Sequence, residues 1–316
     1  MFELIPPGTR IDFIGRWKVC VAASVALLAL SAAALPFRGF RLGIDFAGGT
    51  EVQVRVEDPG RAEEGAIRDA VQGLGIAEPS VVRFGAPEEG EFLIRFRGAL
   101  DETDANRLGP LKAALTEQVG PIEIQRVESV GPKVGAELRR DGLAALLISF
   151  LLILAYVSFR FSSRFAPGAV VALVHDVLVT AGIWVLLGFE FDLRVLAALL
   201  TIIGYSINDT IVIYDRIRET LEVHTNVDLP EVVNHSVNAT LSRTILTSGA
   251  TLLSVLALWA VGGDVIRPFA IAMSIGIVAG TYSTVYIASP MVLLLEGRRS
   301  RRGGAAARAG GRRARA

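Results

Sequence analysis

The sequence is poor in the residues that most chemistry needs. It has one cysteine, Cys20, and three histidines, His175, His224 and His235. A lone thiol excludes an intrachain disulfide framework and a cysteine-based zinc site. The histidines match no metal-binding spacing such as H-E-x-x-H. No nucleophile–base set and no metal cluster can be picked out, so no enzyme, cofactor or metal site is expected. G-x-G-x-x-G is absent as well. Gly48-Gly49 alone is a weak phosphate cradle, and a tight turn feeding a strand is the plainer reading. Formal net charge is zero, and no specific nucleic-acid partner is expected. Basic residues are almost all arginine, which carries no functional content.

What the chain has instead is apolar length. Of its 316 residues 52% are hydrophobic, with a mean hydropathy of +0.48, too apolar for an ordinary soluble domain. Val19 to Leu35 is the first run, after a polar segment 1–18 and with Trp17 at its edge. It fits either a secretory signal peptide or an uncleaved first span, and its core exceeds the usual signal length of about 7–15 residues. Further runs cover Gly142–Phe159, Phe165–Leu187, Leu193–Tyr214, Ile245–Val261 and Pro268–Leu295. Each is near the roughly 20 residues that a spanning helix needs.

Residues 36–140 differ. Glu51–Glu57 alternates like a strand, and Arg61–Leu74 has helical spacing at Ala66, Ile67, Ala70, Val71 and Leu74. Ser80–Phe84 and Glu91–Arg97 read as strands, Leu100–Val119 as a helix and Ile122–Val130 as a strand. The order βαββαβ predicts a ferredoxin-like α+β domain between the first and second spans, with one sheet face under the two helices and the other free to dock a partner. In 215–244, Asp228-Leu229-Pro230-Glu231 is a helix start. Val232, Val233, Val237 and Leu241 then predict a short amphipathic helix, at about 228–242, lying along the membrane face.

Positive charge orients the chain. Arg10, Arg16, Lys18, Arg160, Arg164, Arg216, Arg218, Arg243 and the tail from Arg298 fall on one side, against Arg194 and Arg267 in the short loops of the other. The first side is read as cytoplasmic, which puts both termini inside and 36–140 outside. The organisation expected is a cytoplasmic 1–18, a first span 19–35, the external domain 36–140, a five-helix membrane domain 141–296 and a basic, disordered tail 297–316.

Polar residues inside the spans mark the candidate site. A charged side chain at the centre of a span costs roughly 2.5–3.5 kcal/mol on insertion scales, so it is kept for function. In the fourth span Thr201, Tyr205, Asn208 and Asp209 share a helix face. In the fifth, Arg243, Thr247, Thr251 and Ser254 do the same. His175-Asp176 lies near the middle of the third span, and Gly276-x-x-x-Gly280 in the sixth permits close helix approach. These faces are expected to meet one another, with spans one and two peripheral. Asp209 and Arg243 start as a candidate pair, read either as a proton-binding carboxylate with a fixed counter-charge or as a static packing pair. His175-Asp176 is read either as an extension of such a relay or as a hydrogen-bonded packing group.

Taken together, Gly43-Ile44-Asp45-Phe46-Ala47-Gly48-Gly49-Thr50, Ser129-Val130-Gly131-Pro132-Lys133-Val134-Gly135, His175-Asp176, Ile207-Asn208-Asp209-Thr210-Ile211-Val212 and Leu241-Ser242-Arg243-Thr244 resemble the SecF family of bacterial protein-export membrane proteins over about residues 10–296. Ala47 departs from the pattern, where threonine is expected. The resemblance implies membership of the resistance-nodulation-division superfamily, six spans with the first uncleaved, and a ferredoxin-like periplasmic domain. It also implies a SecD-like partner, work beside SecYEG, SecA and YidC/YajC-type components on preproteins at the inner membrane, and proton transfer involving Asp209 and Arg243. Asn208, His175 and Asp176 complete the candidate relay. The other functions considered are a proton-driven exporter of lipids or small molecules and a non-conducting assembly scaffold.

Overall fold

The protein is described here from a computed structural model, which covers residues 6, 9–58, 60, 62–76, 79–84, 87–97, 105–161, 165–223 and 228–295. The expected tail 297–316 and His224 lie outside these residues. The chain divides into two compact units: Phe40–Ala144 with Glu190–Leu196, and the remainder.

The first unit holds β1 (Gly49–Val56), α3 (Glu64–Gly73), β2 (Ser80–Phe84), β3 (Glu91–Phe96), α4 (Ala105–Val119) and β4 (Ile122–Val130), preceded by the short α2 (Ile44–Ala47). The sheet runs β2-β3-β1-β4 with every pair antiparallel, the arrangement expected of a βαββαβ domain. Strand periodicity explains its core. Val52, Val54 and Val56 of β1 and Phe92, Ile94 and Phe96 of β3 point one way and pack with Ile67, Val71, Leu111 and Leu115 of the helices. Glu51, Gln53, Arg55, Glu91 and Arg95 point the other way. There Arg55 and Glu91 pair at 2.5 Å, and Gln125 Nε2 donates to Glu91. Burial alone would raise the Glu91 pKa, but donation from Gln125, Arg55 and Gln53 outweighs it and holds the carboxyl below the ordinary value of 4.5.

That polar face is not wholly free, because Arg95 pairs with both Glu51 and Glu190. Glu190 comes from the loop before the fourth span, and the pairing follows from how the loop is held. Gly43 N donates to Phe191 O at 2.7 Å and Phe191 N to Arg41 O at 2.8 Å. Asp45 Oδ2 accepts the backbone N–H of Leu193 at 2.9 Å. Gly48 and Gly49 form the tight turn into β1, with φ of +75° and +141°. A Cβ on Gly48 would stand 2.9 Å from Pro132 Cα, and one on Gly49 2.7 Å from Phe96 O, so the turn admits no side chain.

The second unit is helical. Including stretches that belong to the first unit, six helices among the described residues are long and apolar enough to cross a membrane: Ile14–Arg38, Pro132–Arg160, Ala166–Leu187, Leu193–Val223, Leu229–Val261 and Val265–Leu295. Within them α1 is Trp17–Arg38, α5 Pro132–Arg160, α6 Ala166–Leu187, α7 Leu193–Val223, α8 Leu229–Val261 and α9 Gly263–Ser283, which continues through a π-helical turn at Thr284–Ala288.

One expectation needs correction. Residues 228–242 do not form a separate helix on the membrane face; they are the start of α8, which runs 33 residues without a break. No proline interrupts it after Pro230, and Thr240, Thr247, Thr251 and Ser254 donate to carbonyls one turn back rather than opening the ladder. The stripe Val232, Val233, Val237 and Leu241 is buried against the protein itself, with Ile217 and Phe13 in the same core. Asn234 and Asn238 bind the N-terminal segment there. Asn234 Oδ1 accepts from Phe13 N and Ile14 N, and both amides donate to Ile11 O.

Candidate functional site

Asp209 lies on α7 with 5% of its surface exposed. Its hydrogen-bond partner is Ser248 of α8, whose Oγ donates to Oδ2 at 3.2 Å. Ser248 in turn accepts from Thr281 of α9 at 2.9 Å. The carboxylate therefore heads a short chain of hydroxyls that crosses three helices.

Arg243 is not its ion-pair partner. The guanidinium is exposed and makes no salt bridge among the described residues, although it is near enough for its charge to act on Asp209. Helix geometry accounts for this. Arg243 stands five residues before Ser248, so it is displaced by about 7.5 Å along α8 and by roughly 140° around it. Asn208 is exposed too and makes no side-chain hydrogen bond among the described residues. Thr201, Thr247 and Ser254 also face outward and Thr251 is half-buried, against the expectation that the polar faces meet. Their hydroxyls donate to carbonyls of their own helices, so they need no partner helix to be satisfied.

On the two helices that carry Asp209 and Ser248, two buried hydroxyls have no hydrogen-bond partner among the described residues, Tyr205 Oη and Thr244 Oγ1. Tyr205 precedes Asp209 by one turn of α7, and Thr244 precedes Ser248 by one turn of α8. Leaving such a group unpaired costs about 1–3 kcal/mol.

His175 and Asp176 form a second network. Asp176 is fully buried. Oδ2 accepts from Ser206 of α7 at 2.6 Å and from Ser283 of α9 at 2.8 Å. Oδ1 meets His175 Nδ1 at 3.0 Å. His175 Nε2 meets Ser24 of α1 at 3.0 Å. Ser24 donates to Tyr282 at 3.2 Å, and Tyr282 donates to Cys20 O at 2.6 Å. The first span is thus part of the polar interior, contrary to the expectation that it lacks such residues. Ser24 is inconspicuous in a run of alanine and leucine. The signal that finds it is Ser24 and Ser31, seven residues apart on one face, with Ser31 against Gly182 of α6.

The glycines of α9 make this possible. A Cβ on Gly276 would lie 2.1 Å from Ile202 Cδ1, and one on Gly280 3.0 Å from Ser206 Cβ and 3.6 Å from Asp176 Oδ2. Next along, the π-turn is held by Tyr214 donating to Ala288 O at 3.0 Å and Ser289 to Thr284 O at 2.8 Å. Such turns recur at functional sites.

Six apolar helices with two buried carboxylates, and an antiparallel α+β domain between the first two, define a multi-pass membrane protein with a polar interior within its spans. The comparisons give it a family. A profile described as "Protein export membrane protein SecD/SecF, C-terminal" matches residues 111–298, and one described as "SecD/SecF GG Motif" matches residues 33–59. The chain is 43% identical to the protein translocase subunit SecF of Calditerrivibrio nitroreducens, over 95% of this chain and 98% of that one. It is 40% identical to the protein translocase subunit SecDF of Thermus thermophilus, over 94% of this chain and 40% of that one. A crystal structure of Thermus SecDF matches with a TM-score of 0.82 at 39% identity, covering 92% of this chain and 39% of that chain. SecDF in a super-membrane-facing form matches with a TM-score of 0.69 at 39% identity, covering 96% and 41%. The chain belongs to the SecD/SecF family of protein-export membrane proteins, as a member of its SecF branch.

Proposed function

We propose that the chain is a proton-coupled subunit of the Sec protein-translocation machinery. It works with a SecD-type subunit in the inner membrane to promote preprotein export after SecYEG and SecA have acted, in the company of YidC/YajC-type components. Both termini lie in the cytoplasm, and the βαββαβ unit lies outside. The relative that joins SecD and SecF in one chain supports the partner, and the placement of arginines supports the orientation.

The observation that carries the proton reading is Asp209, a carboxylate buried within a span whose hydrogen-bond partner is a serine hydroxyl. A fixed buried ion pair would need direct contact with Arg243, and that contact is missing. Asp209 gains or loses a proton, Arg243 biases its charge from a distance, and Ser248 and Thr281 carry its hydrogen bonding into α8 and α9. The unpartnered hydroxyls of Tyr205 and Thr244, on α7 and α8, are where the relay continues. Arg243 and Asn208 face outward, which fits a surface covered by the SecD-type subunit.

The energy scale suffices. One charge crossing 100 mV releases about 2.3 kcal/mol, which biases a conformational equilibrium about fiftyfold. The test is Asp209→Asn in the reconstituted complex. The variant is expected to insert and co-purify with the SecD-type subunit but to lose the part of export that depends on the proton gradient. Wild-type export by this variant would leave the scaffold reading standing instead.

A further inference from the structure

We propose that His175, Asp176, Ser24 and Tyr282 form a second proton-binding centre, separate from Asp209, that takes up one proton by reversing a chain of hydrogen bonds. The proposal rests on the reading of this chain as proton-coupled, and it adds a site to that reading.

The number of donors fixes the direction of each bond. The Tyr282 proton is committed to Cys20 O, which can only accept. Ser24 has one proton and gives it to Tyr282. Ser24 Oγ must then accept from His175, so Nε2 carries a hydrogen. One further proton lies between Nδ1 and Asp176 Oδ1, on either atom, since two lone pairs do not face each other at 3.0 Å.

A second state with one proton fewer is equally complete. The Ser24 hydroxyl turns and donates to a bare Nε2, while Nδ1–H donates to the Asp176 carboxylate. Tyr282 still donates to Cys20, and Ser206 and Ser283 still donate to Oδ2. The two states differ by one proton, one unit of charge, the hydrogen on His175 Nε2 and the rotation of one hydroxyl. No side chain has to leave its place. A packing role asks for neither state in particular; a centre in which both states satisfy every donor is built to exchange a proton.

The centre has its own hydrogen-bond partners: Asp209 bonds Ser248, Asp176 bonds Ser206 and Ser283, and no hydrogen bond joins the two sets among the described residues. The groups that face it are Cys20 and Ser24 from α1, Ser206 from α7, and Tyr282 and Ser283 from α9, with Tyr286 beyond Tyr282 at 5.2 Å between rings. Arg16 at the head of α1 acts on Tyr286. No lysine, arginine or second acid pairs with Asp176 among the described residues. Both centres draw on α7 and α9, so one pair of helices reads both protonation events.

The test is infrared difference spectroscopy of the purified complex in lipid across pH, with ring-labelled histidine. Subtracting the spectrum of His175→Gln isolates the His175 bands. Loss of the Nε2 hydrogen in a single one-proton transition is expected, abolished by Asp176→Asn and retained in Asp209→Asn. Ser24→Ala is expected to move its midpoint by about one pH unit, a tenfold change in proton affinity, and Ser24→Thr to restore it. If Asp176→Asn does not fold, as thermal unfolding and co-purification would show, the Ser24 pair decides. A His175 signal that keeps the same ring hydrogens throughout, or a midpoint indifferent to Ser24→Ala, overturns the proposal. If Asp209→Asn blocks proton-driven export while His175 is silent, only this centre falls. If Asp209→Asn exports normally while His175 titrates, only the preceding reading falls.

Discussion

Gly280→Ala and Gly276→Ala separate packing from chemistry in α9. Both replace glycine inside a helix, which by itself gains about 0.8–1.0 kcal/mol per site. The steric costs differ. At Gly276 the new methyl would stand 2.1 Å from Ile202 Cδ1 and 2.2 Å from Cγ1. Isoleucine in a helix has one strongly preferred χ1 rotamer, so it does not swing clear, and overpacking of this kind costs about 1–3 kcal/mol. At Gly280 the nearest atom is Ser206 Cβ at 3.0 Å, and a shift of a few tenths of an ångström relieves it. The net expectation is a loss of up to about 2 kcal/mol for Gly276→Ala and near-neutral stability for Gly280→Ala. Function reverses the order. Relief at Gly280 moves Ser206, which bonds Asp176 at 2.6 Å. A hydrogen bond to a charged group is worth about 1.5–3 kcal/mol. Losing about 1 kcal/mol of it weakens the occupied geometry roughly fivefold. The assay is paired: thermal unfolding of the purified complex, and proton-dependent export in vesicles. A Gly280→Ala variant that unfolds at the wild-type temperature and exports at the wild-type rate refutes the role given to this contact. One that unfolds as early as Gly276→Ala refutes the steric reasoning.

Other outcomes can be checked on the same material. Glu91 has a lowered pKa, so its contribution is whole above the ordinary value of 4.5 and is lost as pH falls through the lowered one; the difference in β1 and β3 amide protection between wild type and Glu91→Gln should be plain at neutral pH and fade in acid. Asp45→Ala removes the acceptor for Leu193 N; a lost helix cap costs about 0.5–2 kcal/mol, so exchange at the first amides of α7 should quicken about 2- to 30-fold. Asn234→Ala deletes bonds to Phe13, Ile14 and Ile11, worth roughly 1.5–4.5 kcal/mol together, and limited proteolysis should then cut the N-terminal segment sooner.

The fold was legible because its signals are periodic. Val52, Val54 and Val56 alternate, Ile67, Ala70 and Val71 recur at helical spacing, and each span is a long apolar run. The site was legible only in part. Asp209 and Asp176 stand out by cost, since a carboxylate in a span needs a reason. Which neighbour answers it does not show, because helical spacing defines a face without saying what covers it. Asn208 adjoins Asp209 and Arg243 stands five residues before Ser248, yet both point outward, while Ser206, three residues before Asp209, points to Asp176. Ser24 was hidden by chemistry of the opposite kind. A serine among alanines costs little and draws no attention until His175 is found against it. The length of α8 was missed because a polar segment reads as a connection, although nothing in 231–261 breaks a helix.

The loop Glu190–Leu196 has a practical consequence for anyone exchanging parts between relatives. It belongs with Phe40–Ala144, so the unit that holds the sheet is written in two separate pieces of the gene. A chimaera that transplants only the long piece would pair a foreign Asp45, Arg41 and Arg95 with a resident Phe191, Leu193 and Glu190. Its failure would then say nothing about which module recognises a preprotein. Four junctions, not two, make the graft a fair one.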